Sequence, residues 1–144
     1  MIRKAEMKDL SVLAALACRL WPRHGVAEME AEYAEMMARE DAAFFLAYHQ
    51  EEAIGFAQCQ LRDDYVEGTA SSPVGYLEGI YVAEEYRQQG LARELLAACE
   101  NWAKAKGCTE FASDCELDNV QSLQFHLKLG FEEANRIICF AKKL

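Results

Sequence analysis

A strand-like run, Leu77-Glu78-Gly79-Ile80-Tyr81-Val82, leads through Ala83-Glu84-Glu85-Tyr86 into the turn Arg87-Gln88-Gln89-Gly90-Leu91-Ala92, where a long amphipathic helical period begins. This strand–turn–helix constrains the chain more than any other segment. A glycine in such a turn admits backbone conformations closed to other residues and lets the main chain approach a ligand. The first N–H groups of the helix have no intrahelical acceptor, and the helix dipole adds partial positive charge to them. Arg87 and Arg93 place two fixed cations beside them. The turn therefore suits a bound anion such as a pyrophosphate. Neither Gly-x-x-x-x-Gly-Lys-Ser/Thr nor Gly-x-Gly-x-x-Gly occurs, which excludes the P-loop and dinucleotide modes.

The rest of the 144 residues reads as one mixed α/β domain, residues 1–144, with 52% hydrophobic residues to fill a core. Ile2–Ala5 is a short strand. Asp9 is placed to cap a helix whose Leu10, Leu13, Leu16, Ala17 and Leu20 share a face, and Pro22 and Gly25 end it. A second helix spans Val26–Arg39. Phe44–His49 and Ala53–Leu61 alternate as a hairpin around Gln50-Glu51-Glu52, and Arg62–Pro73 is a loop. Gly75–Val82 is a strand, Leu91–Lys106 a helix with Gly107 at its end, and Glu110–Cys115 another strand. Asn119 can cap a last helix with Val120, Leu123 and Leu127 inward and Gly130 terminating it. Phe131–Glu133 and Arg136–Lys142 close the order β-α-α-β-β-β-α-β-α-β-β. Gly79, inside a strand, marks a bulge or a close backbone approach.

Charge and cysteine usage remove whole classes of function. A net charge of −9 opposes binding to nucleic acid and favours a cationic small molecule. No apolar run approaches the roughly 20 residues of a membrane helix, and the N-terminal residues do not read as a signal peptide. Six scattered cysteines, without Cys-x-x-Cys spacing, argue against zinc and redox motifs and for buried free thiols in the cytoplasm. No metal is expected.

Arg87-x-x-Gly90-x-Ala92 after the strand Leu77–Val82, together with Asn119 and Leu129-Gly130-Phe131, resembles the acetyl-CoA signature of the GNAT superfamily, and the element order is similar to its fold. The resemblance implies that backbone N–H groups of Gln88, Gln89, Gly90, Leu91, Ala92 and Arg93 hold the pyrophosphate of acetyl-CoA. It implies main-chain pairing of pantetheine near Ile80 and Val82, and contact of Asn119 with the cofactor arm. Leu20-Trp21-Pro22, Arg62–Gly68, Ser71-Ser72-Pro73-Val74, Leu77–Ile80 and Ala112-Ser113-Asp114 further resemble the aminoglycoside 6′-N-acetyltransferases. That narrower resemblance implies acetylation of an aminoglycoside amine, as a means of antibiotic resistance, by direct attack in a ternary complex.

Such a substrate needs aromatic faces for sugar rings and carboxylates for ammonium groups. Trp21 and Tyr65 are the candidate faces; Glu78, Asp114 and Glu116 are the candidate charges, with Asp63 and Asp64 equally readable as solvated loop acids. In ideal alternation Glu78 shares a face with Tyr76, Ile80 and Val82, and Asp114 with Glu110 and Ala112. A strand carboxylate is costly in an apolar domain unless paired or solvated, which singles out Asp114 as base and Glu78 as alternative base or anchor. His126 stands where many superfamily members place a Tyr that protonates the leaving thiolate. Cys115 is read as packing rather than as a nucleophile. Two rival readings stand beside this one: a GNAT enzyme acting on a polyamine, peptide or lysine amine, and a non-catalytic acyl-CoA-binding module. Pairing through C-terminal strands such as Ile137–Phe140 is expected to give a homodimer.

Overall fold

The computed structural model describes residues 1–144. Its centre is a five-stranded sheet in the order β1-β2-β3-β4-β5, formed by Ile2–Lys4, Ala42–His49, Glu52–Arg62, Val74–Val82 and Phe111–Ser113. The first four strands run antiparallel, and β5 joins β4 in parallel. Helices α1 (Leu10–Leu20) and α2 (Val26–Met37) cover one face, and α3 (Leu91–Ala105) covers the other. The last helix, α4, spans Val120–Lys128. None of the four is long and apolar enough to cross a membrane.

Each face buries its own core. Leu13, Leu16, Met29, Tyr33 and Met36 pack on Phe44, Leu46 and Phe56, which alternate inward from β2 and β3. Leu95, Leu96 and Cys99 of α3 pack on Ala47, Ala57, Cys59 and Leu77 from the opposite face. The long mid-chain helix expected from residue 91 forms because its apolar positions recur three and four residues apart.

Several expectations give way to tertiary contacts. Asp9 stands at the start of α1 but makes no side-chain cap to it; its carboxylate is buried, accepts from the Glu6 N–H and pairs with both Arg3 guanidinium nitrogens at 2.8 Å. Only Cys59, Cys99 and Cys108 are buried thiols, while Cys115 and Cys139 are exposed. β5 is three residues long, not six. Neither Phe131–Glu133 nor Arg136–Lys142 forms a strand. A strand needs a neighbour to accept its hydrogen bonds, and after Gly130 the chain is drawn elsewhere: Phe131 packs at an angle against Phe111 and edge-on against His126, Ala134 sits against Gly68, and Asn135 donates to Glu67 at 2.9 Å. Ile137, Ile138 and Phe140 are then 66%, 80% and 90% exposed. With no strand beyond β5, α4 lacks a bed. Val120 and Leu127, expected inward, lie exposed, and Leu123 is half-buried.

Candidate active site

β4 and β5 pair only at Gly75–Phe111, Tyr76–Ala112 and Leu77–Ser113. Beyond that point β4 continues to Val82 while β5 has ended, so the two strands fork. From Glu78 to Val82 the edge of β4 that faces away from β3 carries no strand partner. Ile80 and Val82 lie on this open length, in the place expected of main chain that pairs with an extended ligand.

At the far end of the fork, Glu84–Tyr86 makes a single 3-10 turn and Gly90 enters α3 with φ of 85°, in the left-handed region. Gln88 is also left-handed, with φ of 62°. These two reversals turn the backbone so that no N–H group from Gln88 to Arg93 has a hydrogen-bond acceptor in the chain. Six consecutive free donors at a helix N-terminus have the geometry to accept an anion. Arg87 folds back, donating from Nε to the Val82 carbonyl at 2.7 Å, and Arg93 reaches the Lys128 carbonyl at 3.2 Å. The two cations thereby tie the turn to β4 and to α4. Asn119 accepts from the Ser122 N–H at 3.0 Å and caps α4, as its position suggested.

The fork's inner end gathers the carboxylates. Between Gln58–Gly79 and Cys59–Leu77 the β3–β4 register shifts, leaving Glu78 as the extra residue of a β-bulge. The bulge breaks the alternation anticipated for this strand. Ile80 and Val82 pack with Leu77 on the α3 side, and Glu78 faces a cavity of about 230 Å³ on the α1–α2 side with Trp21, Tyr33 and Gln58. Gly79 serves both roles its position allowed. It lies in the bulge, and a Cβ there would stand 2.5 Å from Cη2 of Trp21, so only glycine lets the indole cross the strand. Trp21 is held edge-on to Phe56, with ring centroids 6.3 Å apart.

Asp114 follows β5 directly. Its carboxylate accepts a short hydrogen bond from the Tyr76 hydroxyl. Burial, then this carboxylate, raise the Tyr76 phenol above its ordinary range, so at neutral pH Tyr76 is a donor. Arg62, the last residue of β3, grips Glu78: Nη2 stands 2.8 Å and Nε 3.1 Å from Oε1, and Nη2 stands 3.1 Å from Oε2. Its guanidinium carbon lies 3.4 Å from the centre of the Tyr76 ring. Nothing in the sequence assigns Arg62 or Tyr76 a role beside the carboxylates. The register that puts Tyr76 opposite Ala112, and the bulge that redirects Glu78, bring them to the site.

His126 sits at the crotch of the fork. Its Nδ1 is 2.7 Å from the Ser122 carbonyl, which can only accept, so Nδ1 carries hydrogen. Nε2 is 2.8 Å from the Ser113 hydroxyl, which also lies 3.3 Å from the Leu77 carbonyl. Ser113 can donate to Nε2, or turn to Leu77 and receive a proton-bearing Nε2. Both protonation states of His126 are thus accommodated. Tyr65, 75% exposed on its loop, and the exposed Glu116 are not brought into this cluster.

Residues 10–131 match the Acetyltransferase (GNAT) family. The chain is 41% identical over 142 residues to the aminoglycoside N(6′)-acetyltransferase type 1 of Salmonella typhimurium, covering 99% of this chain and 98% of that one. The corresponding protein of Acinetobacter haemolyticus is 40% identical over 99% of this chain and 98% of its own length. Among solved structures, AAC(6′)-Iy in complex with the bisubstrate analogue CoA-S-monomethyl-acetylneamine superposes with a TM-score of 0.95 at 40% identity, covering 100% of this chain and 98% of that one. With the forked β4–β5 pair, the free-donor turn and a family match that spans most of its length, the chain belongs to the GNAT acetyltransferase family.

Proposed function

We propose that this protein transfers the acetyl group of acetyl-CoA to the 6′-amine of aminoglycosides by direct attack in a ternary complex, and so inactivates the antibiotic, with residues 1–144 acting as a single domain. The observation that carries this reading is the fork itself. A turn of free N–H donors lies at one end, a carboxylate cluster with an aromatic wall lies at the other, and full-length relatives at about 40% identity bear that activity in their names. Acetyl-CoA supplies the activated acyl group. The N–H groups of Gln88, Gln89, Gly90, Leu91, Ala92 and Arg93 receive its pyrophosphate beside Arg87, the backbone at Ile80 and Val82 receives the pantetheine, and Asn119 contacts the same arm.

The attacking amine must be neutral, so its proton has to leave first. Asp114 takes that proton directly or through water, held in aim by Tyr76. Glu78 anchors a neighbouring ammonium group, and Trp21 offers its face to a sugar ring. Tyr65 and Glu116, both exposed, act from the rim. His126 returns a proton to the departing thiolate from Nε2, with Ser113 turning aside to allow it. An unchanged rate in His126→Ala removes that role. Cys115, exposed beside Asp114, forms no covalent intermediate, and an acetylated Cys115 on mass spectrometry overturns that statement.

The protein acts in the cytoplasm as a homodimer, without nucleic-acid or membrane partners. Exposed Ile137, Ile138 and Phe140, on a segment with no strand partner in its own chain, support pairing between copies. The deciding experiment measures thiol release from acetyl-CoA with kanamycin, tobramycin, spermidine and a lysine peptide, and locates the acetyl group by mass spectrometry. Acetylation of kanamycin at the 6′-nitrogen is expected. Turnover confined to spermidine or the peptide overturns the substrate assignment.

A further inference from the structure

The acceptor end of the fork already contains a cation, and it belongs to the protein. Arg62 spans Glu78 through three nitrogen–oxygen contacts of 2.8 to 3.1 Å and lies flat on Tyr76, whose hydroxyl holds Asp114. One guanidinium therefore sits where a ligand ammonium would pair with Glu78. Its own hold is limited. The Arg62 side chain is 38% exposed and the Glu78 side chain 20%, and Glu78 is the only carboxylate that Arg62 meets. An ion pair that keeps contact with water on both partners costs less to exchange for another cation than a fully buried one. Glu78, by contrast, has its backbone set by the bulge and lines the cavity beside Trp21.

We infer that Arg62 is a specificity-determining residue, a placeholder cation that a substrate's second ammonium group displaces from Glu78. The inference rests on the amine-acetyltransferase reading. Its consequence concerns how the site counts charges. The reacting amine meets Asp114, and a further ammonium group that pairs with Glu78 must displace Arg62 from it. The resident guanidinium thereby discounts one charge of a multiply charged substrate, while a substrate with one amine has no group to exchange. A ligand succeeds when it adds other contacts, such as a sugar ring against Trp21.

The test compares the wild-type protein with Arg62→Met, which keeps side-chain length without charge, using kanamycin and the single-amine sugar 6-amino-6-deoxyglucose. In Arg62→Met the KM for kanamycin falls roughly three- to tenfold, the range set by an exposed ion pair plus a cation–π contact. The KM for the monoamine changes by less than about twofold, since no exchange is involved. Millimolar guanidinium ion then inhibits Arg62→Met competitively against kanamycin, because it refills the vacated place. If Arg62 instead serves to hold Glu78 in position, the KM for kanamycin rises and guanidinium restores activity, which overturns the inference. The double variant Arg62→Met/Glu78→Gln loses the gain in kanamycin affinity; a gain that persists also overturns it. Should Arg62→Met fold poorly, Arg62→Gln gives the same comparison. Wild-type protein that leaves kanamycin unmodified defeats the proposed function, whereas wild-type turnover with an unaltered KM in Arg62→Met defeats only the placeholder.

Discussion

The Tyr76 hydroxyl donates to the Asp114 carboxylate while the same ring carries the Arg62 guanidinium 3.4 Å above its centre. A side chain of β4 is thus locked to the residue just past β5, where the two strands begin to part. A hydrogen bond given to a carboxylate favours its charged form and fixes its direction. In Tyr76→Phe, kcat/KM for the amine is expected to fall about tenfold. An unchanged kcat/KM in Tyr76→Phe would mean that Tyr76 does not act on Asp114.

Gly90 has φ of 85°, yet a Cβ built on it meets no atom within 4 Å. The requirement is conformational, not spatial. Gly90→Val forces a β-branched residue into the left-handed region at a cost of roughly 1–2 kcal/mol, which the turn relieves by rotating its N–H groups away from the anion. The KM for acetyl-CoA should rise several-fold while the KM for the amine holds. Isothermal titration with coenzyme A checks this, and unchanged affinity would remove the turn from the binding site.

At Gly79 the opposite holds. Its φ is not left-handed, but a Cβ would lie 2.5 Å from Cη2 of Trp21. Gly79→Ala must push the indole off the strand, and displacing a half-buried aromatic costs about 1–3 kcal/mol. The melting temperature should drop, and the KM for the amine should rise more than that for acetyl-CoA. Trp21→Leu in the same background relieves the clash and recovers stability. Lack of such recovery would place the strain elsewhere.

Asp9 gives a pH prediction far from the site. The hydrogen bonds from Arg3 hold its carboxyl down at about 2, against desolvation that pushes the other way. Its folded value is depressed, so the stabilisation is complete above the ordinary carboxylate range and is lost as pH falls towards 2. Chemical denaturation of wild type and Asp9→Asn should differ by about 2 kcal/mol at pH 5. The gap should shrink through pH 4 to pH 2. A gap independent of pH would show that the pair contributes nothing through ionisation.

The strand–turn–helix at Leu77–Ala105 is the most legible part of the sequence, and the arrangement of the carboxylates is only half legible. The cost of a charge on a strand points to both Asp114 and Glu78, and it holds for Glu78 on β4 but not for Asp114, which lies past the end of β5 and is exposed. Their surroundings could not be named. Ideal alternation puts Glu78 with Ile80 and Val82, and only the register against β3 reveals the extra residue that separates them. Of the two aromatic candidates, Trp21 lies beside Glu78, while Tyr65 stands exposed on a loop whose course depends on distant contacts.

By itself the sequence determined what depends on neighbours a few residues away: the helical stripe of Leu91–Ala105, the left-handed glycine that opens it, and the strand that precedes it. Helical period and backbone freedom are local properties, and they survive in any context that offers an apolar surface. Tertiary structure decided the rest. It shifted the bulge to Glu78, set Arg62 on that carboxylate, joined Tyr76 to Asp114, and left Arg136–Lys142 without a strand to pair with. Each of these requires a partner far along the chain, because an ion pair, a strand register or a sheet edge exists only once a second segment has arrived.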